Sequence, residues 1–222
     1  MGGFTSENFR QAFALYLERL PAAAYVTLYV TAGAVAIGMA LGLLLVLARL
    51  SRSGVLSRTA QGITSVLRTI PVPPFLYLVY FGIISVAGPV EPSICGMMAL
   101  GVLLTPYMSE IYRAGIHGVR PGQIEAGYAL GMSTFLVYRR VILPISVRLL
   151  LPAIGAQVIV ALLNSSFVAV MGGKDITGMS RNLIYTWFSN ELYIVVAATY
   201  FAIAYPLSRL MAWLERRLAF QQ

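Results

Sequence analysis

Five long stretches of this chain contain no Asp, Glu, Lys or Arg, and they constrain the fold more than any other feature. They cover residues 20–48, 69–90, 92–109, 149–173 and 192–208. A helix needs about 20 apolar residues to cross about 30 Å of hydrocarbon. Charged residues make up only 11% of the chain, whereas soluble domains hold about 25%. The alternating pattern of β-barrel strands does not occur, so we predict an all-α integral membrane protein.

We predict one domain, residues 1–222, with five transmembrane helices. The spans are placed at about 22–48, 72–87, 93–112, 149–170 and 191–211. Residues 5–20 are predicted to form a separate amphipathic helix at the membrane interface, with Pro21 opening the first span. Residues 176–190 are predicted to be a polar connector between the last two spans.

Small residues recur at four-residue spacing in the first span. Ala34, Gly38 and Gly42 share one helix face. Small side chains let a second helix approach closely within a membrane. We therefore predict that this face packs against another helix and does not line a path for a solute.

Basic residues are distributed unevenly between the two ends of the predicted spans. Segments 49–68 and 113–148 and the tail after residue 208 hold twelve of the sixteen Lys and Arg residues. Cytoplasmic loops carry an excess of these residues. The N-terminus is therefore predicted to lie outside and the C-terminus inside.

A partly polar segment, residues 120–144, lies in the longest loop between spans. Pro121 suits the first turn of a short helix, and Gly131 suits the left-handed residue that ends one. Ser133 is a natural N-cap for a second short helix. We predict a compact pair of helices, parallel to the membrane, that presents Glu125 to water.

The same segment resembles a known motif. Glu125-Ala126-Gly127, Gly131 and Leu143-Pro144 are similar to the EAA loop of the permeases of ATP-binding cassette (ABC) importers. Other runs resemble the polar amino acid branch of that family, namely Leu67-Arg68-Thr69-Ile70-Pro71, Tyr80-Phe81-Gly82, 110–125 and 213–217. Together the resemblance covers about residues 24–217, nearly the whole chain.

The resemblance implies the type I ABC importer permease fold and a mechanical role for the loop. In that family the loop is a coupling helix, which sits in a groove of a separate ATPase subunit. The positions for which the resemblance implies ATPase coupling are Glu125, Ala126, Gly127, Gly131 and Pro144. Glu125 is expected to pair with basic residues of the ATPase. Gly127 departs from the family's second alanine, which lowers helix propensity by up to about 1 kcal/mol.

The resemblance also implies a location, a task and partners. The chain is expected to be a multi-pass protein of the bacterial cytoplasmic (inner) membrane. It would import a polar amino acid, or a related nitrogenous solute such as an opine, by alternating access. The expected partners are a second permease chain, identical or homologous, two ATPase subunits, an extracytoplasmic solute-binding protein and the lipid bilayer.

The residues themselves give no sign of enzyme chemistry. The chain has no Gly-x-x-x-x-Gly-Lys-Ser/Thr loop to hold phosphates, so ATP and magnesium are expected on the partner ATPases. Its one cysteine, Cys95, and one histidine, His117, are too few for a metal cluster or a catalytic set. We predict no cofactor, metal or catalytic residue in this chain. Nucleic-acid binding is not expected, because no basic patch has interleaved aromatic residues.

Polar residues inside the spans are the candidates for contact with the transported solute, because such groups are costly in a membrane and tend to face a cavity. They are Asn164, Ser165, Ser166, Gln157 and Glu110. Polar amino acid permeases often carry a Lys-Asp pair where this chain has Asn164-Ser165, so an ionic contact is missing. Three explanations are open. The chain is the non-binding half of a heterodimer, it binds its ligand through neutral hydrogen bonds, or its solute is not a simple amino acid. Glu110 is equally suited to pairing with Arg113 or Arg68.

Two other functions are open to a chain of this composition. An ion-coupled secondary carrier would need an acidic residue in the middle of a span, whereas Glu110 and Glu191 lie near span ends. A membrane scaffold or sensor subunit that transports nothing would need no ATPase partner.

Overall fold

The computed structural model describes residues 6–218, and all regular structure within that range is helical. The α-helices are α1 Ser6–Arg49, α2 Gly54–Thr69, α3 Val72–Ala87, α4 Pro92–His117, α5 Pro121–Ala129, α6 Thr134–Val137, α7 Leu143–Asn164, α8 Ile176–Trp187 and α9 Leu192–Leu218. A π-helix, Tyr138–Ile142, joins α6 to α7, and a 3₁₀-helix, Ser165–Met171, continues α7.

Four helical runs in the described range are long and apolar enough to cross a bilayer. They are Glu7–Arg49, Pro92–His117, Thr134–Met171 and Leu192–Arg217. The pair α2 and α3 passes the same test only together, and the two helices bend by 107° at the break between them. The second predicted span, about 72–87, coincides with α3, which has 16 residues and is too short to cross alone. The count is therefore four spans, or five if the bent pair crosses as one.

The prediction of a separate interface helix at residues 5–20 is wrong. Residues from Ser6 onward belong to α1, which continues without a break through Pro21. Ala12 and Tyr16 in this part are fully buried in a cluster with residues of α8 and α9. The Tyr16 hydroxyl also lies 2.6 Å from Oγ1 of Thr199. These tertiary contacts outweigh the hydrogen bond that a proline removes from a helix interior.

Two other segments contain more helix than the sequence predicts. The predicted polar connector at 176–190 is mostly α8, whose Ile176, Leu183 and Ile184 are buried in the same cluster. The second of the two predicted coupling helices is the first part of a continuous run, Thr134–Met171. Helix therefore begins earlier than the predicted fourth span, about 149–170, and α4 extends to His117, beyond the predicted start of the loop at 113.

The small-residue face of α1 packs against α4, as predicted. A Cβ atom added to Gly42 would lie 2.6 Å from Cβ of Met108 and 3.1 Å from the backbone nitrogen of Ser109. One added to Gly38 would lie 2.8 Å from Cβ of Leu104. Contacts advance in the same direction along both helices, so α1 and α4 run parallel.

We expect Gly42→Ala to destabilise the fold, whereas Gly62→Ala should not. A methyl group at position 42 meets α4 backbone, and overpacking of this kind costs about 1–3 kcal/mol. Gly62 lies in α2 with nothing within 4 Å of an added Cβ, so alanine there only raises helix propensity. Thermal unfolding of the detergent-solubilised variants measures both effects. Equal melting temperatures for the two variants would contradict the close packing.

The buried carboxylate of Asp175 helps to hold α8 against α1 and α9, at the end of the bundle where α1 begins. Asp175 is fully buried and caps α8, because its Oδ2 accepts a hydrogen bond of 3.1 Å from the amide of Thr177. The hydroxyl of Tyr200 on α9 donates to the same oxygen at 3.5 Å. On α1, Oγ1 of Thr27 accepts from the amide of Ile176 at 3.2 Å. Burial raises the pKa of Asp175 from 3.8 to about 6, opposed by these hydrogen bonds to the carboxylate.

This shift predicts that the chain loses stability as the pH rises. The folded state binds the Asp175 proton more tightly than the unfolded chain does. The contribution of this proton to the free energy of unfolding is therefore complete below the unfolded pKa and is lost as the pH rises through about 6. The loss is on the order of 2–3 kcal/mol. Asp175→Asn cannot titrate and serves as the reference. From about pH 4 to about pH 7.5, the wild-type melting temperature should fall relative to that of the variant, and a constant difference would contradict this assignment.

Candidate coupling surface and cargo cavity

The predicted coupling helix is α5, and its two ends follow the local rules of the sequence. Pro121 occupies the first turn. At the other end Gly131 has a φ of +74°, which confirms the predicted left-handed residue. The amide of Met132 donates to the carbonyl of Gly127 at 3.2 Å, and the amide of Gly131 donates to that of Tyr128 at 2.9 Å. Hydrogen bonds between backbone groups therefore stabilise the turn after α5.

A small apolar cluster attaches α5 to the helical run that follows. Val119, Val137 and Ile142 are buried together, and Ile124 of α5 packs against them. Gly127 is buried on the inner face, where an added Cβ would lie 3.2 Å from Cγ2 of Val137. Alanine at this position would gain helix propensity but would require Val137 to shift by a few tenths of an ångström. The side chain of Ser133 accepts from the amide of Leu136 at 3.4 Å, which confirms the predicted N-cap.

The outer face of the same unit combines one carboxylate with exposed apolar side chains. Glu125 and Ala126 are exposed on α5. Beside them, Leu130 and Phe135 are 77% and 71% exposed. We call the outward face of 121–138 the coupling surface. Large apolar side chains left uncovered next to a charge are typical of a protein interaction site.

The coupling surface continues directly into a membrane-crossing helix. The π-helix Tyr138–Ile142 separates α6 from α7, and the amide of Leu143 donates to the carbonyl of Tyr138. Pro144 lies in the first turn of α7, directly after the π-helix, and it cannot donate a backbone hydrogen bond to the preceding turn. Isolated π turns occur frequently at functional sites.

A cavity of about 160 Å³ lies where the break between α2 and α3 faces α4 and α7. Its polar groups come from Gln157 and Asn164 of α7 and from Tyr107 of α4. Gln157 and Asn164 are seven residues apart and therefore share a helix face. The other lining residues are apolar: Leu67, Ile70, Val72, Leu100, Leu103, Leu104, Val160 and Ala161. We call this space the cargo cavity.

The structure does not bring the other three candidate solute contacts into the cargo cavity. Ser165 is fully buried, and its hydroxyl donates to the carbonyl of Leu162 at 2.7 Å. The Ser166 hydroxyl donates to the carbonyl of Leu163 at 2.6 Å, and Ser166 lines a separate concavity beside α9. Both serines therefore satisfy their hydroxyls on their own helix.

Glu110 is the centre of an ion-pair cluster, which we call the Glu110 cluster. Nη1 of Arg49 lies 2.9 Å from Oε1 of Glu110, and Nε of Arg113 lies 3.0 Å from Oε2. Nη1 of Arg68 is farther away, at 3.9 Å from Oε1. The two pairings considered from the sequence, with Arg113 and with Arg68, are both present. Arg49, at the end of α1, was not anticipated, because only the packing of α1 on α4 brings it there.

Tyr107 is a further cavity residue, which was not predicted from the sequence. Its ring lines the cargo cavity, and the guanidinium carbon of Arg68 lies 5.4 Å from the ring centroid. One signal was available, because Tyr107 follows Leu100, Leu103 and Leu104 at helical spacing. Without the position of α7, that face of α4 could not be assigned to a cavity.

Comparison with known proteins agrees with this arrangement. The family described as binding-protein-dependent transport system inner membrane component matches residues 18–220. The nopaline transport system permease protein NocM of Agrobacterium fabrum is 34% identical over 215 residues, which cover 90% of this chain and 89% of that protein. The octopine transport system permease protein OccQ of Rhizobium radiobacter is 30% identical over 200 residues, or 82% of each chain.

A solved structure extends the similarity to three dimensions. The crystal structure of an amino acid ABC transporter with histidines superposes on this chain with a TM-score of 0.86. The two are 33% identical, over 93% of this chain and 97% of that one. The resemblance seen in the EAA loop is thereby confirmed, and this chain belongs to the family of inner membrane components of binding-protein-dependent transport systems.

Proposed function

We propose that this chain is the permease subunit of an ABC importer that moves a polar amino acid, or an amino acid derivative such as an opine, inward by alternating access. One observation carries the proposal. A single helical run, Thr134–Met171, begins at the coupling surface and presents Gln157 and Asn164 to the cargo cavity. Movement of the coupling surface therefore acts directly on a wall of the cavity.

The energy for transport comes from separate ATPase subunits, which also hold ATP and magnesium. Glu125 supplies the charge by which an ATPase groove recognises α5, and the exposed Leu130 and Phe135 supply apolar contact area. Two ATPase subunits, a second permease chain and an extracytoplasmic binding protein complete the assembly. The site of action is the bacterial inner membrane, with the N-terminus outside and the coupling surface in the cytosol.

Recognition of the cargo depends on neutral hydrogen-bonding groups. The side-chain amides of Gln157 and Asn164 each offer donors and an acceptor, and apolar walls exclude water around them. Relatives of this chain are permeases of nopaline and octopine transport.

We expect Glu125→Ala to uncouple the permease from its ATPase while leaving it folded. The substitution removes an exposed carboxylate that makes no contact needed for folding. Loss of one charge-assisted contact should weaken ATPase binding by roughly 10- to 100-fold. Co-purification of the ATPase and ATP-driven uptake into proteoliposomes are the measurements. Glu18→Ala, an exposed carboxylate in the first part of α1, is the matched control, and equal behaviour of the two variants would disprove the coupling role.

We expect Asn164→Ala to weaken the interaction with cargo, whereas Ser166→Ala should leave it unchanged. Asn164 lines the cavity and Ser166 does not. Loss of a neutral hydrogen bond corresponds to roughly 2- to 12-fold in affinity. The measurement is the concentration dependence of uptake for labelled L-glutamine, octopine and nopaline by the assembled transporter. A Ser166→Ala effect as large as that of Asn164→Ala would show that the cavity is wrongly assigned.

A further inference from the structure

Two basic side chains at the end of the bundle where α1 begins line one pocket. Arg19 of α1 and Lys174, which lies just before α8, are distant in sequence but share a concavity of about 350 Å³. Both side chains are exposed, and among residues 6–218 no carboxylate oxygen lies within 4 Å of either cation. The coupling surface and the cargo cavity use neither of them. Their positive charge is therefore available to an anion from outside the chain.

The rest of the pocket lining is mostly apolar. Ala22, Ala23 and Val26 of α1 form one wall, and Met179 of α8 forms part of the other. The amide of Asn182 is the only uncharged polar side chain in the lining. A small anion would need only the two cations and this amide. A molecule that joins an anionic head to an apolar chain fits the whole pocket.

Buried neighbours fix the backbone on both sides of the pocket. On α1, Tyr16 and Ala23 are buried in the cluster with residues of α8 and α9. The two residues that flank Lys174, Gly173 and Asp175, are buried as well. Only the outer parts of two long side chains are free to adapt. Such side chains lay their stems along apolar surface and extend their charge toward water or headgroups.

The position of Arg19 along α1 places the pocket at the membrane boundary. No charged residue lies between Arg19 and Arg49, and α1 rises about 45 Å between them at 1.5 Å per residue. A bilayer with its headgroup regions is about 40–45 Å thick, so the two arginines lie at the headgroups of opposite leaflets. Tyr25, about 9 Å further in, is 69% exposed, as is common for tyrosines at this boundary. The cations therefore lie beside lipid phosphates, and the apolar wall lies beside the first part of the acyl chains.

We propose that this pocket binds one anionic phospholipid, whose phosphate contacts Arg19 and Lys174 and whose acyl chain lies against Ala22, Val26 and Met179. Because the two cations belong to different parts of the chain, the lipid links α1 to the segment before α8. A protein that docks from the aqueous side would reach the cations but not the apolar wall, which lies at the depth of the hydrocarbon. The site does not depend on which solute the chain carries.

Photo-cross-linking to the full-length permease, purified in detergent with the subunits that accompany it, tests the site. The probe is phosphatidylglycerol with a diazirine near the carboxyl end of one acyl chain, and peptide mass spectrometry locates the label. We expect the label on residues 20–26 and on Met179. Unlabelled phosphatidylglycerol should displace the probe at a concentration roughly 10- to 100-fold lower than phosphatidylcholine, because the two cations attract a lipid with net negative charge.

Three variants separate charge from shape. Arg19→Gln combined with Lys174→Gln should reduce labelling of the pocket by roughly 10-fold or more. Arg10→Gln combined with Arg181→Gln is the matched control, since it removes the same charge from the same end of the bundle but not from the pocket lining. It should label as wild type does. Ala22→Phe keeps both cations but fills the space along the apolar wall, so it should also lose the label.

Wild-type labelling that falls outside the two pocket walls overturns the proposal, even if the variant without both cations fails to fold. So does a variant without both cations that labels as strongly as the matched control. Displacement of the probe by inorganic phosphate as readily as by phosphatidylglycerol would show a site for a free anion and would contradict the lipid. If the variant without both cations keeps the label but loses ATP hydrolysis stimulated by a binding protein, the cations contact a protein, and the proposal is wrong.

Discussion

The close approach of α1 and α4 is the contact on which the rest of the molecule depends. Within a bilayer no hydrophobic effect drives helices together, so their association relies on tight packing and polar contacts. Gly38 and Gly42 permit that packing, because α4 occupies the space where their side chains would lie. The parallel pairing then carries Arg49 to Glu110. It also turns the adjoining face of α4, with Tyr107, toward the cargo cavity, and Leu104 takes part in both contacts.

The packing of α1 on α4 leaves the carboxylate of Glu110 with little access to water, so nearby cations have to neutralise its charge. The Glu110 side chain is 28% exposed and that of Arg49 only 13%, so water alone screens this pair weakly. Arg113 pairs with the other carboxylate oxygen at 3.0 Å, and Arg68 approaches to 3.9 Å, so the charge of Glu110 is neutralised within the cluster.

Local rules predicted the features that depend on few residues. The glycine face of α1, the left-handed Gly131 and the Ser133 cap each follow from the chemistry of one or two side chains. Features that depend on distant contacts were missed. Burial against α8 and α9 carries α1 through Pro21, and packing on α1 brings Arg49 to Glu110. Ser165 and Ser166 lie off the face that Gln157 and Asn164 share, because successive residues of a helix point about 100° apart.

The helical run from Thr134 to Met171 links the two sites and limits how they can communicate. From Leu143 to Gln157 the rise is about 21 Å at 1.5 Å per residue, and Pro152 lies inside this stretch, where it removes one backbone hydrogen bond. The π-helix at Tyr138–Ile142 lies between the coupling surface and this stretch. A π turn interrupts the regular hydrogen-bond pattern of an α-helix, and the helix axis can change direction there. Because the apolar cluster around Val137 fixes α5 to the same segment, we expect a movement of α5 to be passed to α7 and to the wall that carries Asn164.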